Sequence, residues 1–159
     1  MMKKLTHMDE SGHPRMVDIT GKPDTHREAV AKGTVRMQAA TLDLIKKGET
    51  AKGDVLAVAQ LAGIMAAKQT PHLIPLCHPL LIGDIKIEFN MNEGNNTIEI
   101  TATVESVGKT GVEMEALTAT AVAALTIYDM CKAADRGMRI ENIRLVRKSG
   151  GKSGTITLE

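Results

Sequence analysis

Cys77 and His78 stand side by side in the segment LIPLCHPL, and both side chains can bind ligands or move protons. The prolines around them disfavour a helix, so a stiff loop presents the two side chains, which suits a ligand. A structural turn with a buried thiol and a histidine bonded to backbone explains the spacing equally well. A Cys–His nucleophilic pair is disfavoured because adjacent side chains usually point in different directions.

Two carboxylates, Glu113 and Glu115, lie in the segment KTGVEMEALTA, which begins at Lys109, where the first turn of a long helix is predicted. In the first turn of a helix, carboxylates favour the helix dipole and can cap free backbone N–H groups. Capping therefore explains much of this pattern. The functional alternative is that Met114, between the two glutamates, provides an apolar platform for a flat heterocycle.

Asp129 and Lys132 are spaced i and i+3, which makes them neighbours on one helix face. An ordinary surface ion pair explains this spacing, but a carboxylate and an amine in contact can also act as an acid–base couple. Asp129 lies roughly 20 Å from Glu115 along one helix, too far for one small ligand. Either these are two sites, or one site is assembled between two copies of the chain.

The segment KSGGKSG, residues 148–154, places Lys148 and Lys152 on a glycine-rich backbone. It predicts a mobile phosphate clamp, with a solvated turn as the alternative. It is not a P-loop, because Val146 stands where that motif needs glycine and a strand follows instead of a helix. Lys52, in the polar break 48–53, is by spacing alone an ordinary surface lysine.

Periodicity predicts the elements that position these residues. Residues 27–37 alternate as a strand that Gly33 loosens, and a short helix follows over residues 41–47. Asp54 can cap a helix that ends near residue 68, before the prolines. Two alternating runs, 85–89 and 98–104, flank NEGNN as a β-hairpin.

The strongest helical pattern covers residues 112–135 and is ended by Gly137. A strand over residues 139–147 and a short one over residues 155–158 complete the chain. The order β-α-α-β-β-α-β suits an α+β fold, a ferredoxin-like split βαβ antiparallel sheet with helices packed on one face. Residues 1–24 read as an irregular arm whose first part lacks order, and residues 25–159 as a single catalytic domain.

The bulk properties narrow the function classes. The 159 residues carry 20 basic and 19 acidic side chains spread along the chain, so neither a nucleic-acid surface nor an acidic tail is indicated. No signal peptide or membrane-spanning run appears, which predicts a cytoplasmic protein. The two cysteines are far apart and predict neither a disulfide nor a zinc site. With one Phe and one Tyr, the core must be aliphatic, and small helices favour self-association.

Nearly the whole chain resembles the cyclic pyranopterin monophosphate synthases, the molybdenum cofactor biosynthesis protein C family. The resemblance runs from THMDESGHPRMVDIT to KSGGKSG. It includes TxREA at Thr25, KGDV at Lys52, AGIMAAK at Ala62, LIPLCHPL, KTGVEMEALTA, and ALTIYDMCKA at Ala124. The breadth of the match makes chance agreement negligible.

The resemblance implies a lyase of molybdenum cofactor biosynthesis. Its substrate would be 3′,8-cyclised dihydro-GTP, converted to cyclic pyranopterin monophosphate with release of diphosphate. The resemblance further implies a homohexamer built from dimers, with active sites between subunits. The implied catalytic residues are Asp129, Lys52 and Lys132; the residues implied or predicted to bind substrate are Leu76, Cys77, His78, Glu113, Met114, Glu115, Lys148 and Lys152.

The predicted chemistry needs proton transfers but no redox step, so no cofactor and no metal is required, although a divalent cation could assist at the phosphates. Two other classes of function remain. One is a non-catalytic nucleotide- or pterin-binding module that uses the same loops. The other is a self-associating scaffold, which leaves LIPLCHPL unexplained.

Overall fold

The computed structural model describes residues 7–159. Its elements are β1 (Thr25–Arg36), α1 (Ala39–Lys47), α2 (Val55–Leu73), β2 (Ile82–Asn92), β3 (Thr97–Gly108), α3 (Glu113–Cys131), β4 (Arg139–Ser149) and β5 (Ile156–Thr157). The strands form one antiparallel sheet in the order β2-β3-β1-β4-β5. The first four strands interleave two β-α-β units, which confirms the α+β, ferredoxin-like fold and the predicted hairpin.

Residues 7–24 precede the sheet and contain neither a helix nor a strand, only an isolated bridge between Met8 and Pro14. The lack of order expected at the start of the arm falls largely on residues 1–6, which lie outside the described residues. The division into an arm over residues 1–24 and one catalytic domain over residues 25–159 stays a prediction.

Strand β1 lies at the centre of the sheet and buries every second residue against the helices. Ala29, Ala31 and Val35 are fully buried, as the alternation predicts. Gly33 lies at an irregularity in the β1–β4 pairing, and a Cβ there would come within 2.8 Å of Thr120 Cγ2. Glycine at this position therefore lets helix α3 pack closely on the central strand.

Helix α2 begins as predicted and ends later than predicted. The Asp54 side chain accepts a hydrogen bond from the Ala57 N–H at 3.0 Å and caps the helix. The expected end near residue 68 is wrong, because the helix continues through Pro71 to Leu73. Proline removes one backbone donor there, and the ladder resumes at once, since the Ile74 N–H donates to the Thr70 carbonyl at 2.9 Å.

Helices α2 and α3 approach each other closely because small residues line their contact. A Cβ on Gly63 would lie 2.4 Å from Ile87 Cδ1 and 3.0 Å from the Ala119 carbonyl oxygen. Ala119 and Ala123 are themselves fully buried in the main core. The fully buried side chains of this core are aliphatic, as predicted, and the single Phe and Tyr lie only partly buried at its margin.

Helix α3 ends at Cys131, so its predicted end at residue 135 is wrong. The carboxylate of Asp135 is almost fully buried and accepts from the Gln38 N–H at 2.8 Å and from the Gly137 N–H at 2.9 Å. These bonds require the chain to leave the helix early, because Asp135 must reach the start of α1. The Tyr128 hydroxyl donates to the Arg136 carbonyl at 3.1 Å and spans the same turn.

Candidate active site

Lys52, Asp129 and Lys132 form a cluster, here called the acid–base trio, at the C-terminal end of α3. Lys132 Nζ lies 2.6 Å from Asp129 Oδ1, and Lys52 Nζ lies 3.1 Å from Asp129 Oδ2. Lys52 Nζ also donates to the Asp129 carbonyl at 3.1 Å. Lys52 comes from the loop between α1 and α2, so the fold brings together residues that are 77 positions apart.

The two lysines control the charge of Asp129. A carboxylate in the last turn of a helix faces the negative end of the helix dipole, so it needs cationic partners. The hydrogen bond from Lys132, then that from Lys52, holds the pKa of Asp129 below its usual range. Asp129 is therefore ionised at neutral pH. About half of each side chain is exposed in the single chain, so water reaches the trio freely.

A second group of residues surrounds a cavity of about 420 Å³ at the N-terminal end of α3. The walls come from the loop after α2, the start of α3 and the N-terminal arm. The predicted residues Leu76, Cys77, His78, Glu113, Met114 and Glu115 all line it. The structure thus gathers around one space six residues that sequence reasoning had only suspected from two separate segments.

His78 is held by the arm. Its Nε2 lies 2.8 Å from the Val17 carbonyl oxygen, which can only accept, so Nε2 carries a proton. Nδ1 then remains to interact with a ligand. The arm is fixed a second time where Lys109 Nζ donates to the Thr20 carbonyl at 2.7 Å. Sequence reasoning missed Val17 because no local pattern links it to His78.

Glu113, in the wall of this cavity, forms an ion pair with Lys148 of β4. The Glu113 carboxylate folds back over Gly111, where any Cβ would overlap it. Lys148 was predicted to lie in a flexible loop, which is wrong, because β4 continues to Ser149 and pairs Lys148 with Ala29. The strand holds Lys148 in place, whereas Lys152 is exposed in the turn that follows.

Glu115 is buried deeper than its neighbour. Glu115 is 3% exposed, and this burial raises its pKa to about 7. A hydrogen bond from its own backbone N–H opposes the rise in pKa, whereas the negative charge of Glu113 adds to it. Burial, and then the charge of Glu115, also raises the pKa of the Cys77 thiol. Cys77 therefore stays protonated at neutral pH and forms part of the wall instead of acting as a nucleophile.

Arg27 is a candidate residue that sequence reasoning missed. It is 8% exposed, its Nε donates to the Gly108 carbonyl at 3.2 Å, and among residues 7–159 no carboxylate pairs with it. A buried cation without a partner carboxylate is costly unless an anion completes it. The signal was available, because Arg27 shares the buried alternation phase of Ala29 and Ala31 in β1.

The two groups lie at opposite ends of one 19-residue helix. The fourteen-residue separation of Glu115 and Asp129 corresponds to roughly 21 Å along the axis. The single chain therefore does not bring the acid–base trio to the 420 Å³ cavity.

Among residues 7–159 no cluster of three His, Cys, Asp or Glu side chains could hold a metal ion. Within the same range no helix is long and apolar enough to cross a membrane.

Fold and site together describe an α+β protein that offers an anionic ligand both cationic and titratable side chains. Comparison with known proteins identifies the group to which it belongs. The model of the MoaC family matches residues 16–151. The chain belongs to this family.

Three relatives illustrate how far the similarity extends, and each is named cyclic pyranopterin monophosphate synthase. The protein of Roseiflexus sp. (strain RS-1) is 63% identical over 153 residues, covering 96% of this chain and 97% of its own. That of Thermomicrobium roseum is 60% identical over 97% of this chain and 93% of its own. That of Parvibaculum lavamentivorans is 60% identical over 96% and 95%.

Proposed function

We propose that this chain is a cyclic pyranopterin monophosphate synthase, a lyase of molybdenum cofactor biosynthesis. The observation that carries the proposal is the 63% identity to a protein of that name over 96% of this chain. The substrate would be (8S)-3′,8-cyclo-7,8-dihydroguanosine 5′-triphosphate and the products cyclic pyranopterin monophosphate and diphosphate. We expect the reaction to take place in the cytoplasm.

In the phosphate step, a sugar oxygen attacks the α-phosphorus, and the bond from that phosphorus to the departing diphosphate breaks. Lys52 neutralises the charge that develops on the phosphate oxygens. Asp129, held ionised by both lysines, is available as a base, and the Lys132 ammonium returns protons to the ring and sugar. No redox step occurs and we expect no cofactor, although a divalent cation could accompany the triphosphate.

The 420 Å³ cavity is large enough for the bicyclic ring and supplies its binding groups. The Glu113 carboxylate accepts hydrogen bonds from ring amino and amide N–H groups, while Met114 covers the ring face. His78 contributes its Nδ1, because Nε2 is bound to Val17. Leu76, the neutral Cys77 thiol and the buried Glu115 complete the cavity wall.

The triphosphate end of the substrate needs cations beyond Lys52. Lys148 is fixed on β4 and Lys152 is free in the following turn, so the first can position the phosphates and the second can close over them. Arg27 adds a buried guanidinium beside the same turn. An anion there would balance the charge that the folded chain leaves unpaired.

We propose further that each site is assembled between two copies, in a hexamer built as a trimer of dimers. A two-fold axis across α3 would reverse one copy and bring its acid–base trio to the cavity of the other. Helix α2 supports this with exposed apolar side chains at i, i+3 and i+7, Val58, Leu61 and Met65, and Leu125 is exposed on α3 beside it. A covering partner would also exclude water from the half-exposed trio.

A single-turnover assay with the cyclised GTP intermediate tests the proposal, following pyranopterin and diphosphate together. Wild type should form both products, and Asp129→Ala should bind substrate but form neither. The matched control is Asp43→Ala, because Asp43 forms a comparably exposed helical ion pair with Lys47 at 2.6 Å and is not bonded to the trio. If wild type binds the substrate without turning it over, the chain is a pterin-binding module and the proposed activity is wrong.

A further inference from the structure

The turn 150–154 contains three glycines with positive φ whose surroundings differ. Gly150 has φ +94°, and a Cβ there would lie 2.0 Å from the His26 carbonyl oxygen, which is rigid backbone. Gly151 has φ +72°, and its Cβ would lie 1.7 Å from Arg27 Nη1. Gly154 has φ +64°, and no atom lies within 4 Å of its Cβ position.

These surroundings give the glycines different tasks. All three glycines have a positive φ, a backbone conformation that favours glycine, so the backbone conformation alone does not distinguish them. At Gly150 a side chain would strike the main chain of β1. At Gly151 alone, a methyl group would occupy the position of a guanidinium, which is the end of a movable side chain.

Arg27 has little other support for its position. Its Nε has one hydrogen bond, to the Gly108 carbonyl, and among the described residues no carboxylate holds its two terminal nitrogens. The direction of the guanidinium is thus set by that bond and by the backbone of residues 150–151. If Gly151 acquired a side chain, Arg27 would have to rotate away or the turn would have to lift.

We infer that Gly151 is a positioning residue, whose missing side chain keeps the Arg27 guanidinium in place to bind the diphosphate portion of the ligand. The inference rests on the proposed function for the identity of the ligand. Beyond that function, it assigns to KSGGKSG a steric task. The turn holds the Arg27 guanidinium, which comes from β1, in position and also carries Lys152.

Equilibrium binding of inorganic diphosphate to the full-length protein, measured by calorimetry, tests the inference without any turnover. Gly151→Ala should weaken binding about tenfold or more, because a charge-assisted hydrogen bond is lost. Gly154→Ala introduces the same strained φ without touching Arg27, and should change binding by less than about twofold.

A double-mutant cycle separates positioning from general damage to the turn. Arg27→Ala alone should weaken binding about as much as Gly151→Ala, and adding Gly151→Ala to Arg27→Ala should weaken it no further. The double variant should also regain thermal stability relative to Gly151→Ala, because the methyl group then has space. This regain keeps the test valid if the single variant folds poorly.

Three results would overturn the inference: equal effects of Gly151→Ala and Gly154→Ala, an undiminished effect of Gly151→Ala without Arg27, or no diphosphate binding by the wild type. Failure of the proposed function has a different signature, because it requires absence of turnover in the single-turnover assay. Each of the two conclusions can therefore fail independently.

Discussion

Replacing Glu115 by glutamine should remove a pH-dependent loss of stability that the wild type carries. Burial raises the pKa of Glu115 from 4.5 to about 7 in the folded chain. Between these two values the folded state holds a proton that the unfolded chain has released. The free energy of unfolding must therefore fall as pH rises through this window, and it levels off above pH 7.

The size of the effect follows from the shift in pKa. The free energy of unfolding should fall by up to about 1.4 kcal/mol per pH unit inside the window, and by about 3 kcal/mol in total. The 3% exposure of Glu115 leaves little solvent to screen this effect. A single carboxylate therefore contributes a change that is a substantial part of the total stability expected for a domain of this size.

Denaturant unfolding followed by circular dichroism at pH 5, 6, 7 and 8 measures the effect, at one protein concentration because self-association contributes to stability. The difference between wild type and Glu115→Gln isolates the titration of Glu115 from that of other groups. Glu115→Leu should show the same weaker pH dependence if the lost charge is the cause. If the wild-type and Glu115→Gln curves run parallel from pH 5 to pH 8, the reasoning is refuted.

Two further predictions concern the pairing of copies and the contact between helices. Lys52→Ala and Glu113→Ala subunits should each be inactive alone, and mixing them should restore about a quarter of wild-type turnover. In a random mixture, one site in four combines an intact acid–base trio from one copy with an intact cavity from another. A mixture as inactive as its components would contradict a shared site. Gly63→Ala should lower the free energy of unfolding by about 1–3 kcal/mol, measured by denaturant titration, because the new methyl group meets Ile87 at 2.4 Å and the Ala119 carbonyl at 3.0 Å. Alanine in a helix ordinarily stabilises by about 1 kcal/mol relative to glycine, so a gain in stability would contradict the close contact.

Much of the fold could be predicted because the local signals agree with one another. The alternation in β1, the Asp54 cap and the breaker-free pattern of α3 each match the final structure. The errors occur where a contact distant in sequence decides. Asp135 leaves the helical path because its carboxylate binds Gln38 near the start of α1, which no local pattern encodes.

The proline prediction failed for a different reason. Pro71 lies in the last turn of α2, so it disturbs only the end of the helix, and the Ile74 N–H still donates to the Thr70 carbonyl at 2.9 Å.

The candidate site was predictable as a set of residues and not as an arrangement. Spacing gave the Asp129–Lys132 pair, but the addition of Lys52 depends on the loop between α1 and α2 folding against the end of α3. Arg27 was overlooked because the strand pattern was read for its apolar residues alone, and Arg27 was given no role in it. Its burial depends on the 150–154 turn, which closes over it from the far end of the chain.

The hydroxyl bond from Tyr128 to Arg136 has a spectroscopic consequence. The chain contains one tyrosine and no tryptophan, so its near-ultraviolet emission comes almost entirely from one ring, beside Asp129. The unlabelled protein therefore carries a natural single-site optical reporter. Its signal responds to events at the C-terminal end of α3, so the rate at which this end engages a ligand becomes measurable by stopped-flow fluorescence.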